Sequence, residues 1–156
     1  MLAKAPIVAA VAAAASWSCP AIGACSVTAT PIVFGIYNGV TKAEVQTVAT
    51  VTVRCTDLIV NADYTLSVSP GQSGSATSRY LVNGANRLAY QVYADATRSQ
   101  IFGDGSAGTV TRSGSVGAIL GIGTTSSSIQ LFPALNAGQS PPPGTYTDTL
   151  TVLVTY

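Results

Sequence analysis

Chemistry at neutral pH most often begins with an imidazole, and this chain of 156 residues contains no histidine. Its absence removes the usual general base, the Ser-His-Asp and Cys-His constellations, and a common metal ligand. Carboxylates could still work as a pair, as in glycoside hydrolysis, and Asp95 and Asp104 are near enough in sequence to consider. Asp104, however, stands in Gly103-Asp104-Gly105, a turn where aspartate is favoured because its side chain bonds nearby backbone. The run Gly103-Asp104-Gly105-Ser106-Ala107-Gly108 lacks the lysine of a phosphate-binding loop and opens no helical pattern. No catalytic residue, cofactor or metal site is therefore assigned, and the chain is not expected to be an enzyme.

Sulfur chemistry is the remaining option. Residues 1–24 pair Lys4 with the apolar run Ile7-Val8-Ala9-Ala10-Val11-Ala12-Ala13-Ala14-Ala15, then Pro20 and small residues up to Ala24. That is the layout of a secretory signal peptide, with cleavage expected after Ala24 and Ala21 or Gly23 as neighbouring choices. The run is shorter than the roughly 20 apolar residues of a membrane span. Of the three cysteines, Cys19 falls in this leader, leaving Cys25 and Cys55 for residues 25–156. In an oxidising compartment such a pair is most simply a disulfide, worth roughly 3 kcal/mol through the loop it closes. Ile22-Gly23-Ala24-Cys25 also fits the tetrapeptide at which bacterial lipoproteins are cleaved and acylated, so a lipid anchor on Cys25 is the alternative. The disulfide is favoured because Cys55 ends an alternating strand on its core-facing parity.

Charge excludes another class. Charged residues make up 8% of the chain, and with Lys4 set aside six basic residues face six acidic ones. Lys42, Arg54, Arg79, Arg87, Arg98 and Arg112 are scattered singly, so nucleic acid is not an expected partner.

The elements that carry these residues read as short alternating strands separated by Gly, Asn, Asp and Ser, at the spacing of an all-β sandwich. Strands are predicted at Val27–Tyr37, Val45–Cys55, Tyr64–Ser69, Leu88–Tyr93, Gln100–Phe102, Ser128–Phe132 and Thr145–Tyr156. In the second, Val45, Ala49, Val51, Val53 and Cys55 share one face with Thr47. In the last, Tyr146, Leu150, Val152, Val154 and Tyr156 share one parity against threonines and Leu153 on the other. Asn83-Gly84 and Asp104-Gly105 are predicted turns, and Pro141-Pro142-Pro143-Gly144 stiffens the approach to the last strand. Ser106–Ser128 is the least patterned stretch, anchored by Val116, Ile119, Leu120 and Ile122, and is expected to form exposed loops or edge strands. Tyr90, Tyr93, Tyr146 and Tyr156 fall on strand positions that suit sheet packing better than a sugar-stacking surface. An apolar strand with a free edge is a template for another chain's strand.

Taken together, Cys25, Phe34-Gly35-x-Tyr37, Val51-Thr52-Val53-x-Cys55, Tyr64-x-Leu66-x-Val68 and Arg79-Tyr80-Leu81 resemble the spore coat protein U domain. The likeness continues through Leu88-x-Tyr90-x-x-Tyr93-x-Asp95, Phe102-Gly103-Asp104-Gly105, Ala137-Gly138-Gln139 and Gly144-Thr145-Tyr146-Thr147-Asp148-Thr149. It covers nearly all of residues 25–156. Phe132-Pro133-Ala134-Leu135-Asn136 departs from the family where members often carry a basic residue, and the extra cysteine pair of some members is missing from Ser106–Ser128.

The family is similar to the pilin subunits of archaic chaperone–usher pili. The resemblance implies an incomplete immunoglobulin-like β-sandwich over residues 25–156, with an open edge suited to donor-strand complementation. The implied partners are a periplasmic pilus chaperone, an outer-membrane usher and the donor strand of a neighbouring pilin. Val27, Ile32 and Phe34 are the expected residues of one wall of the strand-acceptor groove, and Tyr146, Leu150, Val152, Val154 and Tyr156 those of the other. The implied location is the periplasm in transit and then a surface pilus. With cleavage after Ala24 nothing precedes Cys25 to serve as a donor, so an accepting, tip-located adhesive subunit is expected. The alternative is a self-contained secreted or lipid-anchored β-sandwich binding module.

Overall fold

Along Ala49–Thr56 (β5), Ala49, Val51, Val53 and Cys55 are buried while Thr50, Thr52, Arg54 and Thr56 point outward, the period of two that a pleated strand with one wet face requires. The computed structural model that shows this describes residues 2–5, 24–58, 60–118 and 123–156. The expected leader therefore lies outside the described residues except for residues 2–5 and Ala24, and so do Cys19, Ile119, Leu120 and Ile122.

Around β5 a six-stranded antiparallel sheet assembles. It runs Cys25–Ala29 (β2), β5, Thr124–Leu135 (β10), Asn86–Tyr93 (β8) and Tyr80–Asn83 (β7), with Val45–Gln46 (β4) added to β10. A three-stranded sheet of Val152–Thr155 (β11), Ala62–Val68 (β6) and Arg112–Val116 (β9) packs on it. A third pair joins Leu2–Ala5 (β1) to Ile32–Ile36 (β3). The core lies between the layers: Val51, Val53, Leu88, Tyr90, Val92 and Leu131 come from the first sheet, and Tyr64, Leu66, Val68, Val116 and Val152 from the second. Each such side chain stabilises the fold by about 1.5–3 kcal/mol on leaving water. This is the expected all-β sandwich.

Several strand limits differ from those predicted. Val27–Tyr37 is two strands, because Pro31 offers no N–H to a ladder and the chain leaves the first sheet there, Thr30 donating its last backbone bond to Thr50. Val45–Cys55 is likewise divided at Thr47-Val48 into β4 and β5. Gln100–Phe102 makes only isolated bridges, Ile101 with Tyr93 and Phe102 with Val110. In Thr145–Tyr156 only Val152–Thr155 is a strand, Thr147 bridging separately to Val82. The unpatterned stretch holds β9, an edge strand, and also the first half of β10, which is central. Its alternation was hidden because inward positions there carry Thr125 and Ser127, the latter accepting a bond from the Tyr64 hydroxyl at 2.9 Å. The β7 strand, which hydrophobic alternation missed, forms a hairpin with β8 through Gly84-Ala85, where Gly84 takes φ +58°.

Candidate functional site

The sheet edges are where this sandwich has chemistry to offer. In β3, Ile32 and Phe34 point into the core, and Phe34 meets the edge of the Tyr90 ring at 5.8 Å. Gly35 then adopts φ +73°, and the β1–β3 register shifts beside it, between Ala3 and Lys4. That is a bulge built on a left-handed glycine. The extra residue reverses the parity, so Tyr37 is buried and Ile36 is 64% exposed, with Val33 on the outer side at 48%. β1 lies antiparallel along β3, with Leu2 opposite Ile36, Ala3 opposite Gly35, Lys4 opposite Val33 and Ala5 opposite Ile32. The open edge of β3 is thus covered by a strand from the N-terminus of the same chain.

A second edge belongs to β11. It pairs with β6, Val152 opposite Val68 and Val154 opposite Leu66, and no partner occupies its other side among the described strands. Of the five residues assigned to this wall, Tyr146, Leu150 and Val152 are buried. Val154 is half-buried against the core and Tyr156 is 59% exposed. Tyr146 is anchored away from the edge, donating its hydroxyl to the Pro142 carbonyl at 2.8 Å. Val27 lies on β2, opposite Val53 in the six-stranded sheet, and not on β3. The eight residues thus divide among three places: Ile32 and Phe34 behind the β3 edge, Val152 and Val154 on β11 with Tyr156 just past its end, and Val27, Tyr146 and Leu150 elsewhere along the core.

Cys25 and Cys55 sit directly opposite on β2 and β5 with 4.1 Å between their Cα atoms, and they form a disulfide. A sulfur in that bond is not available for acylation.

Alternation alone did not reveal a buried polar network behind these edges. Tyr90 donates its hydroxyl to Asp148 Oδ2 at 2.6 Å, while the Gln72 and Thr149 amides donate to Oδ1, both at 2.8 Å. Burial, reinforced by this bond, holds the Tyr90 hydroxyl well above the usual tyrosine range. Gly71 lets Gln72 approach, since a Cβ there would overlap the Asp148 carboxyl. Arg79, buried on the far side, donates to the Ser69 and Ala76 carbonyls and, at 2.7 Å, to Gln91 Oε1. The signal was present in the sequence as one carboxylate, Asp148, on the same parity as Tyr146 and Leu150. Gln139 completes the framework: its carboxamide accepts from the Ala89 amide at 2.6 Å and donates to the Ala89 carbonyl at 2.8 Å, in the manner of a strand neighbour.

Asp95 and Asp104 serve their own loops. The Asp95 carboxylate accepts from Thr97, Ser99 and Gln100, and Asp104 accepts from the Ser106 amide and hydroxyl. These bonds, side-chain hydroxyls foremost, hold both carboxyls below the usual carboxylate range, the reverse of what a general acid needs. Gly103 donates its amide to Val110 and packs on Thr109, which leaves it committed to the fold.

Comparison with known proteins agrees with this architecture. A search of curated proteins finds no match. Among solved structures, the chain is similar to one in the CsuC–CsuE chaperone–tip adhesion subunit pre-assembly complex from archaic chaperone–usher Csu pili of Acinetobacter baumannii, with a TM-score of 0.56 at 19% identity. The match covers 86% of this chain and 40% of that one, so this chain spans well under half of its neighbour's length. The likeness shows a shared fold. The family model of the spore coat protein U domain matches residues 11–153, and the chain belongs to that family.

Proposed function

We infer that the chain is a structural or adhesive subunit of a surface pilus assembled by the chaperone–usher route, and that it accepts a donor strand between β3 and β11. The observation that carries this is the β3 edge, which takes a strand over four residue pairs while β11 keeps a side without a described partner and Val154 stays half-buried. A strand laid there gains backbone bonds from both neighbours and covers the apolar side chains at the gap. In the periplasm a pilus chaperone lends that strand, and at the outer-membrane usher a neighbouring subunit's extension replaces it. The family membership and the fold shared with a chain of a chaperone–pilus subunit complex support this reading.

The test is a melt of the chain beginning at Cys25, alone and with a synthetic peptide of alternating apolar residues. An acceptor is oligomeric or melts broadly alone, and its transition sharpens and rises as peptide is added, because a ligand of the native state alone stabilises it. The pairing of β1 with β3 favours one other reading, a self-contained binding module whose own N-terminus covers the edge. Such a module, kept at full length, melts cooperatively without help and ignores the peptide. Tip position is tested by the N-terminal residue of the exported chain: a start at Cys25 supports a subunit that only accepts, and a start well upstream supplies a donor and places it within the shaft.

A further inference from the structure

A cleft of about 490 Å³ lies on the outer face of the β7–β8 hairpin, on neither β3 nor β11. Its size falls within the roughly 300–1,000 Å³ of small-ligand sites. One small side chain lies among its lining residues. Residues Arg87, Ala89, Gln91 and Tyr93 share the outward parity of β8 while Leu88, Tyr90 and Val92 fill the core. Ala89 leaves a hollow in that row, walled by Tyr80 directly opposite on β7 and by Tyr93 further along β8.

The exposed charge lining the hollow is positive. The Arg87 guanidinium lies 4.3 Å from the centroid of the Tyr80 ring, a cation–π contact that holds an exposed side chain in place. Arg79 is buried beneath, and its hydrogen bonds run to the neutral acceptors Ser69, Ala76 and Gln91. No carboxylate is among the lining residues, and the rim opposite carries the exposed carboxamide side chain of Asn136. Of the two arginines that line this aromatic-walled cleft, Arg87 is exposed, while Arg79 is buried and committed to the fold.

We propose that this cleft binds an acidic glycan that carries uronate or sialate residues, with a carboxylate on Arg87 and the ring face of a sugar further along the glycan on Tyr93. An aromatic face takes the apolar side of a sugar ring, and a guanidinium already pinned on a ring pairs with a carboxylate through two parallel hydrogen bonds at little ordering cost. The site goes beyond strand acceptance and does not depend on it.

The experiment is a calorimetric titration of the purified, folded chain with trigalacturonate, sialyllactose and lactose. Saturable binding of an acidic probe is expected, with lactose weaker by at least about tenfold, the scale of one lost charge pair. Arg87→Gln, at an exposed position, should cost a similar factor, Tyr93→Ala should weaken binding too, and Arg112→Gln on β9 should change nothing. Which acid binds distinguishes a uronate-containing matrix from a sialylated surface. Absence of saturable binding by either acid, equal binding of lactose, unaltered binding in Arg87→Gln, or equal loss in Arg112→Gln each overturns the proposal.

Discussion

Tyr90 on β8 donates its hydroxyl to Asp148 across 2.6 Å in the buried interior, 58 residues away in sequence. That one bond ties the penultimate segment of the chain, ahead of β11, to the centre of the six-stranded sheet. The Gln72 amide reaches the same carboxyl from the 3₁₀ turn Gly71–Ser73, so three separate stretches meet at Asp148.

Removing either partner should be costly in an uneven way. Asp148→Ala leaves the Tyr90 hydroxyl and two amides without acceptors, and about 2–4 kcal/mol of stability should be lost. Tyr90→Phe leaves the carboxyl its two amide donors and should cost about 1–2 kcal/mol. Urea denaturation of the two variants checks the order, and equal losses would contradict it.

The same bond gives an alkaline signature. Unfolded tyrosine ionises near pH 10, whereas burial and Asp148 hold Tyr90 protonated well above that. Below about pH 10 both states keep the proton and Tyr90 adds no pH dependence. As pH rises further, only the unfolded chain releases it, so stability falls. Ultraviolet titration should show tyrosine absorbance that changes only on unfolding, and Tyr90→Phe should reduce it by one tyrosine.

Asp95 should show the opposite sign at acid pH. Its folded carboxyl is held well below the usual range by the hydroxyl of Thr97 and the amides of Ser99 and Gln100. The support it lends its loop is therefore complete above the unfolded value of about 3.9 and is lost as pH falls through the lower folded value. A carboxyl NMR titration checks this; a midpoint at or above the ordinary value would refute it.

Gly35 and Gly71 both hold positive φ but differ in the space around them, and substitution should separate the two causes. Gly35→Ala meets nothing within 4 Å and should cost only the left-handed backbone penalty of about 1–2 kcal/mol. Gly71→Ala adds overlap with the Asp148 carboxyl and should cost about 2–5 kcal/mol in thermal or chemical denaturation.

The disulfide offers the fifth test. Reduction, or Cys55→Ser together with Cys25→Ser, frees a loop of sequence separation 30 and should lower stability by about 3 kcal/mol without changing strand content by circular dichroism. An intact mass that fails to shift on reduction and alkylation would exclude the bond.

How much was readable beforehand depended on whether a role was local. Alternation in Ala49–Thr56 disclosed both the strand and the inward turn of Cys55, because a pleat's period of two is written residue by residue. Ile32 and Phe34 were assigned to a groove wall through the family resemblance and not through alternation. β7 was missed because its four residues are too few for a period to show, and Thr125 and Ser127 disguised a central strand because their polar groups are satisfied by partners distant in sequence.

Residue types and their alternation therefore point to a β-sandwich without histidine chemistry, and the cysteine pair favours the disulfide that the structure shows. Where the edges lie is a property of three dimensions. Pro31 ends one strand, but that the next leaves the first sheet depends on which edges are already occupied, and Gly35 reverses parity only because a bulge is formed against β1. Asp148 reads as a flaw in an apolar strand until Tyr90 and Gln72 converge on it from 58 and 76 residues away. Hydrogen bonds of that span leave no periodic trace, since the chain between their ends is free to vary, and so the buried network and the cleft beside Ala89 emerge only on folding.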